Sequence, residues 1–433
     1  MLERNHDAFG ISRTRTNGEA GFPRLSQGDK KMSQQVLGNV KAAAVVRREQ
    51  SVARPLFTVL GAVALSLFSV ACGSSDDEPG KEPGQSGDLL GARPCTNMPS
   101  TGYPGDENCI EAPPEGKGFQ MRYGPKNYDD EAEVAKYLLA PGEETTDCLY
   151  MKTPNDVGVF MNQYHARMRP GSHHMITYTM ADQKADSAAP EECGFGLWRF
   201  LVGSQEQVID VRNQDQAPEL EKAAMYIAPK LQAAVQVHFV NTSKTETKLK
   251  EAWVNAVFTD GDKVDVRIEP IFWIGGLRTV TKARSSQVVK ARCEVGQTIM
   301  GEGGKQEPTP SDLRMIQLTG HYHAHTTKFE AWHVDAETQE RKRIYASNGY
   351  QEPGFTYFNS VTKNPTLDAS PYGGDYSGML YMTPGDAIEW ECTVDNQDDW
   401  DLPFGNMVYK AEMCNMFGTY APSVGSAWNC FNL

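Results

Sequence analysis

Apolar and polar positions alternate along short stretches of the chain, and Gly, Pro, Asn and Asp separate these stretches from one another. Short β-type runs with such spacing are typical of antiparallel sheets in sandwiches or barrels. Helical periodicity is sparse, and it predicts helices only at Asp130–Leu139 and Leu220–Tyr226. The predicted strands are Val157–Asn162, Met175–Met180, Leu231–Asn241, Ala252–Thr259, Val264–Ile268, Leu313–Thr319, Lys328–Val334, Met379–Thr383 and Ala387–Asp395. We therefore predict an all-β fold.

The β-rich part of the chain is too long for one sandwich, because about 340 residues follow residue 90. We predict two antiparallel, jelly-roll-like β-sandwich domains in tandem, disulfide-linked, at 91–270 and 271–433. The boundary is expected near Glu269–Gly276, where Glu269-Pro270 ends a strand pair. Gly301–Pro310 is predicted to be a long loop.

One long apolar run, Leu56–Ala71, lies near the N-terminus and follows three arginines. A basic segment, an apolar segment and a small-residue exit predict a signal peptide, so 1–71 is taken as an N-terminal extension and signal peptide. The small residues before Cys72 resemble a bacterial lipobox, which predicts lipidation of Cys72 and a lipid-anchored protein of the cell envelope. Ser69 departs from that pattern, so a soluble secreted protein stays the alternative. The Gly-, Pro-, Ser- and acid-rich segment 72–90 is predicted to be a flexible tether.

Charge and cysteine content narrow the class of protein. The chain has 42 basic and 56 acidic residues, a net charge of −14, which argues against nucleic acid as a partner. Export predicts an oxidising compartment, in which the eight cysteines after the lipobox form up to four disulfides. Eight cysteines allow 105 pairings, so their number alone does not pair them. They are Cys95, Cys109, Cys148, Cys193, Cys293, Cys392, Cys414 and Cys430.

Three histidines, His321, His323 and His325, alternate along a predicted strand. Alternate strand residues point to one face and lie about 7 Å apart at Cα, so we expect these imidazoles to share one ion. Imidazole sites suit zinc, copper, iron or nickel. Two alternatives stay open: a hydrogen-bonded polar strand without metal, and a mononuclear cupin-like site completed by Glu330.

A second group of candidate ligands lies earlier in the chain. His173 and His174 are adjacent, so both can reach one ion only if the backbone is twisted or bulged, which the upstream Pro170-Gly171 permits. His238 lies on the polar face of a strand whose other face carries Val235, Val237 and Phe239. Taken alone, His238 fits a solvent-facing or hydrogen-bonded histidine better than a ligand.

In chain order, these segments resemble the copper type II, ascorbate-dependent monooxygenases, the family of peptidylglycine α-hydroxylating monooxygenase and dopamine β-monooxygenase. The resemblance runs from about Cys148 to Cys430. Its motifs are Asp147–Met151, Pro170–Met175, Val235–Phe239, His323-Ala324-His325 followed by Lys328, Gly385–Ala387 leading to Cys392, and Glu412–Asn415. Each motif is weak alone, and their shared order carries the resemblance.

The resemblance implies two copper ions, one on each sandwich. An electron-transfer copper would be bound by His173, His174 and His238. An oxygen-binding copper would be bound by the catalytic residues His323, His325 and Met413, and a soft thioether favours Cu(I). The resemblance further implies the pairs Cys148–Cys193, Cys293–Cys430 and Cys392–Cys414, which leaves Cys95 and Cys109 for each other.

The implied function is hydroxylation of a C–H bond in a small organic substrate, with O2 and an external electron donor such as ascorbate. We expect a monomer that contacts a membrane only through its lipid anchor. The alternative is a non-catalytic copper-binding or adhesion lipoprotein on the same fold.

Two departures concern the substrate. Peptide-amidating members have arginine where this chain has His321, and tyrosine where it has Phe417, whereas Asn415 is kept. Both replaced groups help to hold a peptide carboxylate, so the departures disfavour a peptide substrate. His321 and Asn415 are the candidate substrate-side residues, and His321 is alternatively an extra ligand or a polar neighbour.

Overall fold

The computed structural model describes residues 91–180, 184–193, 199–212, 222–296, 298–300, 306–308, 313–351, 353–358, 378–423, 425 and 427–432. The described residues belong to one compact unit. The predicted signal peptide, Cys72 and the tether lie outside the described residues. Within the described part, no helix has the length and apolar character needed to cross a membrane.

The first half of the chain forms two facing sheets, which are antiparallel except where Val266–Arg267 pairs in parallel with Ala223–Ala224. Its strands are β1 Gly118–Tyr123, β2 Leu138–Leu139, β3 Glu144–Lys152, β4 Val159–Met168, β5 Ser172–Thr179, β6 Glu191–Glu192, β7 Arg199–Ser204, β8 Val208–Arg212, β9 Ala223–Ile227, β10 Gln232–Val240, β11 Lys248–Leu249, β12 Ala252–Thr259 and β13 Val266–Arg267. One sheet has the order β1-β12-β4-β9-β13, with β8 also paired to β4, and the other has the order β6-β3-β10-β5-β7. The helical elements are α1 Glu131–Val134 and the 3-10 turns Asp106–Asn108, Ala135–Tyr137 and Gly261–Lys263.

Alternation along the strands explains the core of the first sandwich. In β1 every second residue is buried, which turns Phe119, Met121 and Tyr123 inward. From the facing sheet, Val235 and Val237 enter the same apolar cluster. A strand exposes its side chains to opposite faces in turn, so this pattern fixes the register of the sheet against the core.

The second half repeats the architecture. Its strands are β14 Glu269–Gly275, β15 Val280–Thr281, β16 Ser285–Glu294, β17 Thr298–Met300, β18 Gln306–Pro308, β19 Leu313–Tyr322, β20 Thr326–Val334, β21 Arg341–Ser347, β22 Thr356–Tyr357, β23 Leu380–Met382, β24 Ala387–Asn396, β25 Leu402–Pro403, β26 Cys414–Ala421 and β27 Trp428–Phe431. A sheet of order β22-β19-β26-β14-β27, with β23 on β19, faces a sheet of order β16-β24-β20-β21. The core between them includes the packed indoles of Trp273, Trp390 and Trp428.

An apolar cluster joins the two sandwiches. Phe200 of β7 stacks on Phe417 of β26 with ring centroids 5.3 Å apart, and Phe417 stacks on Phe272 of β14 at 5.1 Å. Ile176 and Tyr178 of β5 belong to the same cluster. Since buried aromatic rings contribute large apolar contact areas, this cluster holds β5 of the first sandwich beside the β14/β26 pair of the second.

Four disulfides pair Cys95 with Cys109, Cys148 with Cys193, Cys293 with Cys430, and Cys392 with Cys414. All four predicted pairs are confirmed. Each bridge lies within one sandwich, and none joins the first sandwich to the second.

The all-β, double-sandwich prediction is confirmed, and most predicted strands differ only at their ends. The helix predicted at Leu220–Tyr226 is wrong, since β9 occupies Ala223–Ile227 and pairs with β4 and β13. The loop predicted at Gly301–Pro310 contains β18, which pairs with β17. The chain passes between the sandwiches after β13, and β14 begins at Glu269.

Candidate metal centre

A β-bulge turns the two adjacent histidines of β5 toward one site. His174 pairs with His238 of β10, but the next pair is Ser172 with Phe239, so His173 is the extra residue. Gly171 immediately upstream has φ +100°, which favours glycine. The bulge that both adjacent histidines need in order to reach one ion is therefore present. The ring centroids of His173, His174 and His238 lie 5.1 to 5.4 Å from one another.

The second sandwich adds two imidazoles to this group. The rings of His321 and His323 lie 5.4 and 5.2 Å from the ring of His173, and the His321 ring lies 4.8 Å from that of His174. We call His173, His174, His238, His321 and His323 the five-histidine cluster. Its ligating atoms form two sets within 4.8 Å, His173–His174–His321 and His173–His238–His323, and His173 is common to both.

Burial keeps these imidazoles neutral. Desolvation lowers the pKa of His238 and of His323 to about 3. It also lowers the pKa values of His173, His174 and His321 well below the usual range, and neighbouring imidazoles lower them further. A neutral imidazole keeps a lone pair for a metal ion, so the cluster is in the protonation state that binds metal at neutral pH.

Hydrogen bonds determine which ring nitrogen is left for a ligand. The Nε2 of His238 lies 2.7 Å from the Glu144 carboxylate, and the Nδ1 of His323 lies 3.1 Å from the Ala411 carbonyl. Both partners accept hydrogen bonds, so each ring donates its N–H to them. The other nitrogen of each ring is then free of a proton and available to a ligand within the cluster. Four buried ring nitrogens of the cluster have no hydrogen-bond partner: His173 Nε2, His174 Nδ1, His238 Nδ1 and His323 Nε2. Unpaired buried acceptors are costly, so these atoms fit a bound metal ion.

His325 lies outside the five-histidine cluster. Strand β19 ends at Tyr322, and His323 to His325 form the tight connection to β20, which begins at Thr326. The expectation that three alternating histidines share one strand face is therefore wrong. The Nε2 of His325 lies 2.8 Å from Asp398, and its Nδ1 is buried without a partner.

Met413 and His323 are connected through Glu412. The backbone N–H groups of His323 and Met413 both donate to one carboxylate oxygen of Glu412, over 2.6 and 2.9 Å. Burial raises the pKa of Glu412 to about 7. The Met413 sulfur is buried and accepts a hydrogen bond of 3.4 Å from the side-chain amide of Asn415.

Sequence reasoning missed three residues that support the cluster. Glu144 orients His238 and also accepts from the Val408 N–H of the second sandwich, over 2.6 Å. Gln205 accepts from His321 Nδ1 over 2.9 Å and donates to the Tyr350 carbonyl. Glu412 supports His323 from its backbone. Only Glu412 had a local signal, because it directly precedes the predicted ligand Met413.

Two cavities border the cluster. An apolar cavity reaches His174 and His321 and is walled by Phe200, Phe355 and Phe417. A second, polar cavity opens beside His173 on another side. Apolar clefts with a few polar groups are common binding sites for small molecules.

Comparison with known proteins identifies no family for this chain. No protein-family model matches it, and no curated protein matches it. The solved structures that match include the major capsid protein P2 of bacteriophage PM2, with 9% identity over 71% of this chain and 100% of that chain and a TM-score of 0.24. A structure of the infectious bursal disease virus Gx strain matches with 9% identity over 73% and 74% of the two chains and a TM-score of 0.15. Such low TM-scores support no conclusion about function.

We expect the metal-free protein to lose stability as the pH falls below about 6.5. An unfolded histidine takes up a proton near its usual pKa of 6.5, whereas His238 and His323 stay neutral in the fold down to about pH 3. At these histidines the unfolded state therefore binds more protons, and each such histidine costs about 1.4 kcal/mol of stability per pH unit below 6.5. Glu412, whose pKa is raised to about 7 in the fold, has the opposite effect and offsets about one such histidine.

Thermal unfolding midpoints at about pH 7.5, 6.5 and 5.5 measure this effect. Saturating copper should move the loss to lower pH, because the metal competes with protons for the same nitrogens. A metal-free midpoint that stays constant between pH 6.5 and 5.5 would contradict neutral burial of the cluster.

Proposed function

We propose that this chain is a copper-dependent monooxygenase that hydroxylates a C–H bond of a small organic substrate. The observation that carries the proposal is the five-histidine cluster, in which both sandwiches direct neutral, unpartnered imidazole nitrogens at one place. Copper bound there would supply one-electron chemistry with O2. The overall reaction balances as R–H + O2 + 2 e⁻ + 2 H⁺ giving R–OH + H2O, with both electrons from an external reductant.

The donor set disfavours iron and thiolate-bound zinc, and it suits copper or three-histidine zinc. Neither set of three ligating atoms contains a carboxylate or a thiolate, which disfavours iron in a two-histidine, one-carboxylate site and zinc in a thiolate site. The shared hydrogen bonds to Glu412 connect the backbone of Met413 with that of His323, and a thioether is a ligand that selects Cu(I).

In the proposed assignment, His173, His174 and His238 bind the first copper, and His323 with Met413 binds the second. The third ligand of the second copper is His325 by the family resemblance and His321 by proximity in the fold. Glu144 and Glu412 hold ligand residues in position. The apolar cavity beside His174 and His321 would take the substrate. Its Phe417 offers no hydroxyl to a carboxylate, which favours an uncharged compound.

Copper content and turnover test the proposal. The purified chain should bind two copper ions, and it should consume O2 when given ascorbate and a suitable small molecule. Incubation with 18-O2 and a panel of uncharged metabolites should place one labelled oxygen atom in a product. His333→Ala is the matched control, because His333 lies on β20, outside the cluster, and should keep both ions.

Three other results would overturn the proposal or favour an alternative function. Full occupancy by zinc without a redox response would overturn the proposal. One copper per chain favours a mononuclear site. Two redox-active coppers without any substrate-dependent O2 consumption favour the non-catalytic copper-binding alternative.

A further inference from the structure

A polar cavity opens beside the five-histidine cluster, on a side that the proposed substrate cavity does not occupy. It holds about 720 Å³ of empty space, which includes open solvent, and His173 forms part of its wall. We call this cavity the polar basin. Ser172, Thr242 and Lys248 of the first sandwich line it, and so do Tyr350 and Tyr409 of the second. His173 is thus reachable from solvent through a polar surface.

The polar basin carries positive charge in an otherwise acidic protein. Lys248 forms no ion pair with any residue that the structure describes. Its side chain lies over Gly171, where an added Cβ would meet the Lys248 Cδ at 2.8 Å and the Nζ at 2.9 Å. No aspartate or glutamate of the described chain lines the basin, although the net charge of the protein is −14. This lining attracts a small anion rather than a cation.

Two phenols connect the polar basin with the cluster. The Tyr350 ring centroid lies 6.1 Å from that of His173, and the hydroxyls of Tyr350 and Tyr409 lie 3.0 Å apart. Burial and the hydrogen bond to Tyr350 raise the pKa of Tyr409 to about 12, so this phenol remains protonated and can donate. The basin therefore combines one cation with several hydroxyl and amide groups, as an oxygen-rich anion requires.

We propose that the polar basin binds the electron donor, a small enediol anion of the ascorbate class, with Lys248 as its charge partner. This inference rests on the proposed function, because it needs a redox-active metal behind His173. With copper bound behind His173, the monoanion would supply one electron to the metal and leave as its radical anion, and its enediol proton would pass to water in the basin. Two such encounters would supply the two electrons of one hydroxylation.

Anaerobic reduction of the copper-loaded protein tests this site without a substrate. Loss of the Cu(II) electron paramagnetic resonance signal is followed after mixing with sub-saturating ascorbate, and separately with neutral hydroquinone. Lys248→Gln should slow reduction by ascorbate about five- to tenfold, the loss expected for one charge-assisted contact, and should leave the hydroquinone rate unchanged. Lys244→Gln, a change in an exposed lysine outside the basin, should change neither rate.

Ionic strength gives a second measurement. Raising it from about 0.05 to about 0.5 M should slow ascorbate reduction of the wild type, because salt screens the lysine charge, and should affect Lys248→Gln much less. Equal slowing of both reductants in Lys248→Gln would mean that the copper site itself changed, and would overturn the inference. Unchanged ascorbate kinetics would overturn it as well.

Failure of the proposed function gives a different result. If the chain binds no copper, saturation-transfer NMR of ascorbate with the metal-free wild type and Lys248→Gln decides whether the polar basin binds the anion at all. If ascorbate binds the wild type and Lys248→Gln abolishes that binding, the polar basin is an anion site without a redox role. If ascorbate does not bind the wild type, the anion site and the proposed function are both wrong.

Discussion

His173→Ala should reduce the copper content from two ions per chain to at most one and should abolish ascorbate-driven O2 consumption. His173 is the only residue common to both sets of closely spaced ligating atoms, and its Nε2 is buried without a partner. Loss of an orienting partner of a ligand typically weakens metal binding about 10- to 100-fold, so loss of the ligand itself should exceed about 100-fold. Mass-spectrometric metal analysis after dialysis against a chelator measures the change.

The fold should tolerate this substitution. Removing an imidazole whose inner nitrogen has no partner leaves no new unsatisfied group on the remaining residues, so the metal-free variant should unfold near the wild-type temperature. Retention of both ions by His173→Ala would contradict the assignment of the cluster. A large fall in the metal-free midpoint would instead show that His173 acts by packing.

The same assay separates the two ligand sets for the second ion. The resemblance assigns that ion to His325, whereas in the fold His325 faces Asp398 and His321 lies in the cluster. If His325 is the ligand, His325→Ala loses one copper and His321→Ala keeps two. If His321 is the ligand, the outcome is reversed.

The strands were predictable because their pattern is local. Ala252–Thr259 was predicted with its observed ends, since alternation and burial agree along β12. The error at β9 also has a local cause. The segment contains Ala223, Ala224 and Met225, which are good helix formers, but pairing with β4 and β13 places them in a sheet, where they are buried. Tertiary packing there outweighs propensity.

The five-histidine cluster was predictable only in part. The sequence grouped His173, His174 and His238, which lie together in the fold, and Pro170-Gly171 permits the bulge that this grouping requires. The end of β19 was not predictable, since no Gly, Pro or Asn marks the turn at His323 to His325. The approach of His321 to His174 depends on how the sandwiches pack through Phe200, Phe272 and Phe417, and no local pattern encodes that contact.

Glu251→Gln should produce the largest loss of stability in the first sandwich. The Glu251 side chain is fully buried and accepts from Arg169 Nε over 2.8 Å, from the Tyr128 hydroxyl over 2.6 Å and from Arg122. Arg169 is equally buried and retains only Asp106 as a charged partner when Glu251 is neutral. Removing one partner of a buried ion pair typically costs 3 to 5 kcal/mol, so we expect a loss of about 4 kcal/mol.

Chemical denaturation of metal-free protein measures this cost, and Asp260→Asn in the exposed pair with Lys263 should leave the midpoint unchanged. The network also supports the five-histidine cluster, because Arg169 donates its backbone N–H to the Glu251 carbonyl and its own carbonyl accepts from the N–H of Ser172, one residue before His173. The double variant Arg169→Met, Glu251→Leu removes both charges and should recover part of the loss, since well-packed apolar residues often replace buried ion pairs without cost. If the double variant is as unstable as Glu251→Gln, shape rather than unpaired charge determines stability at this position.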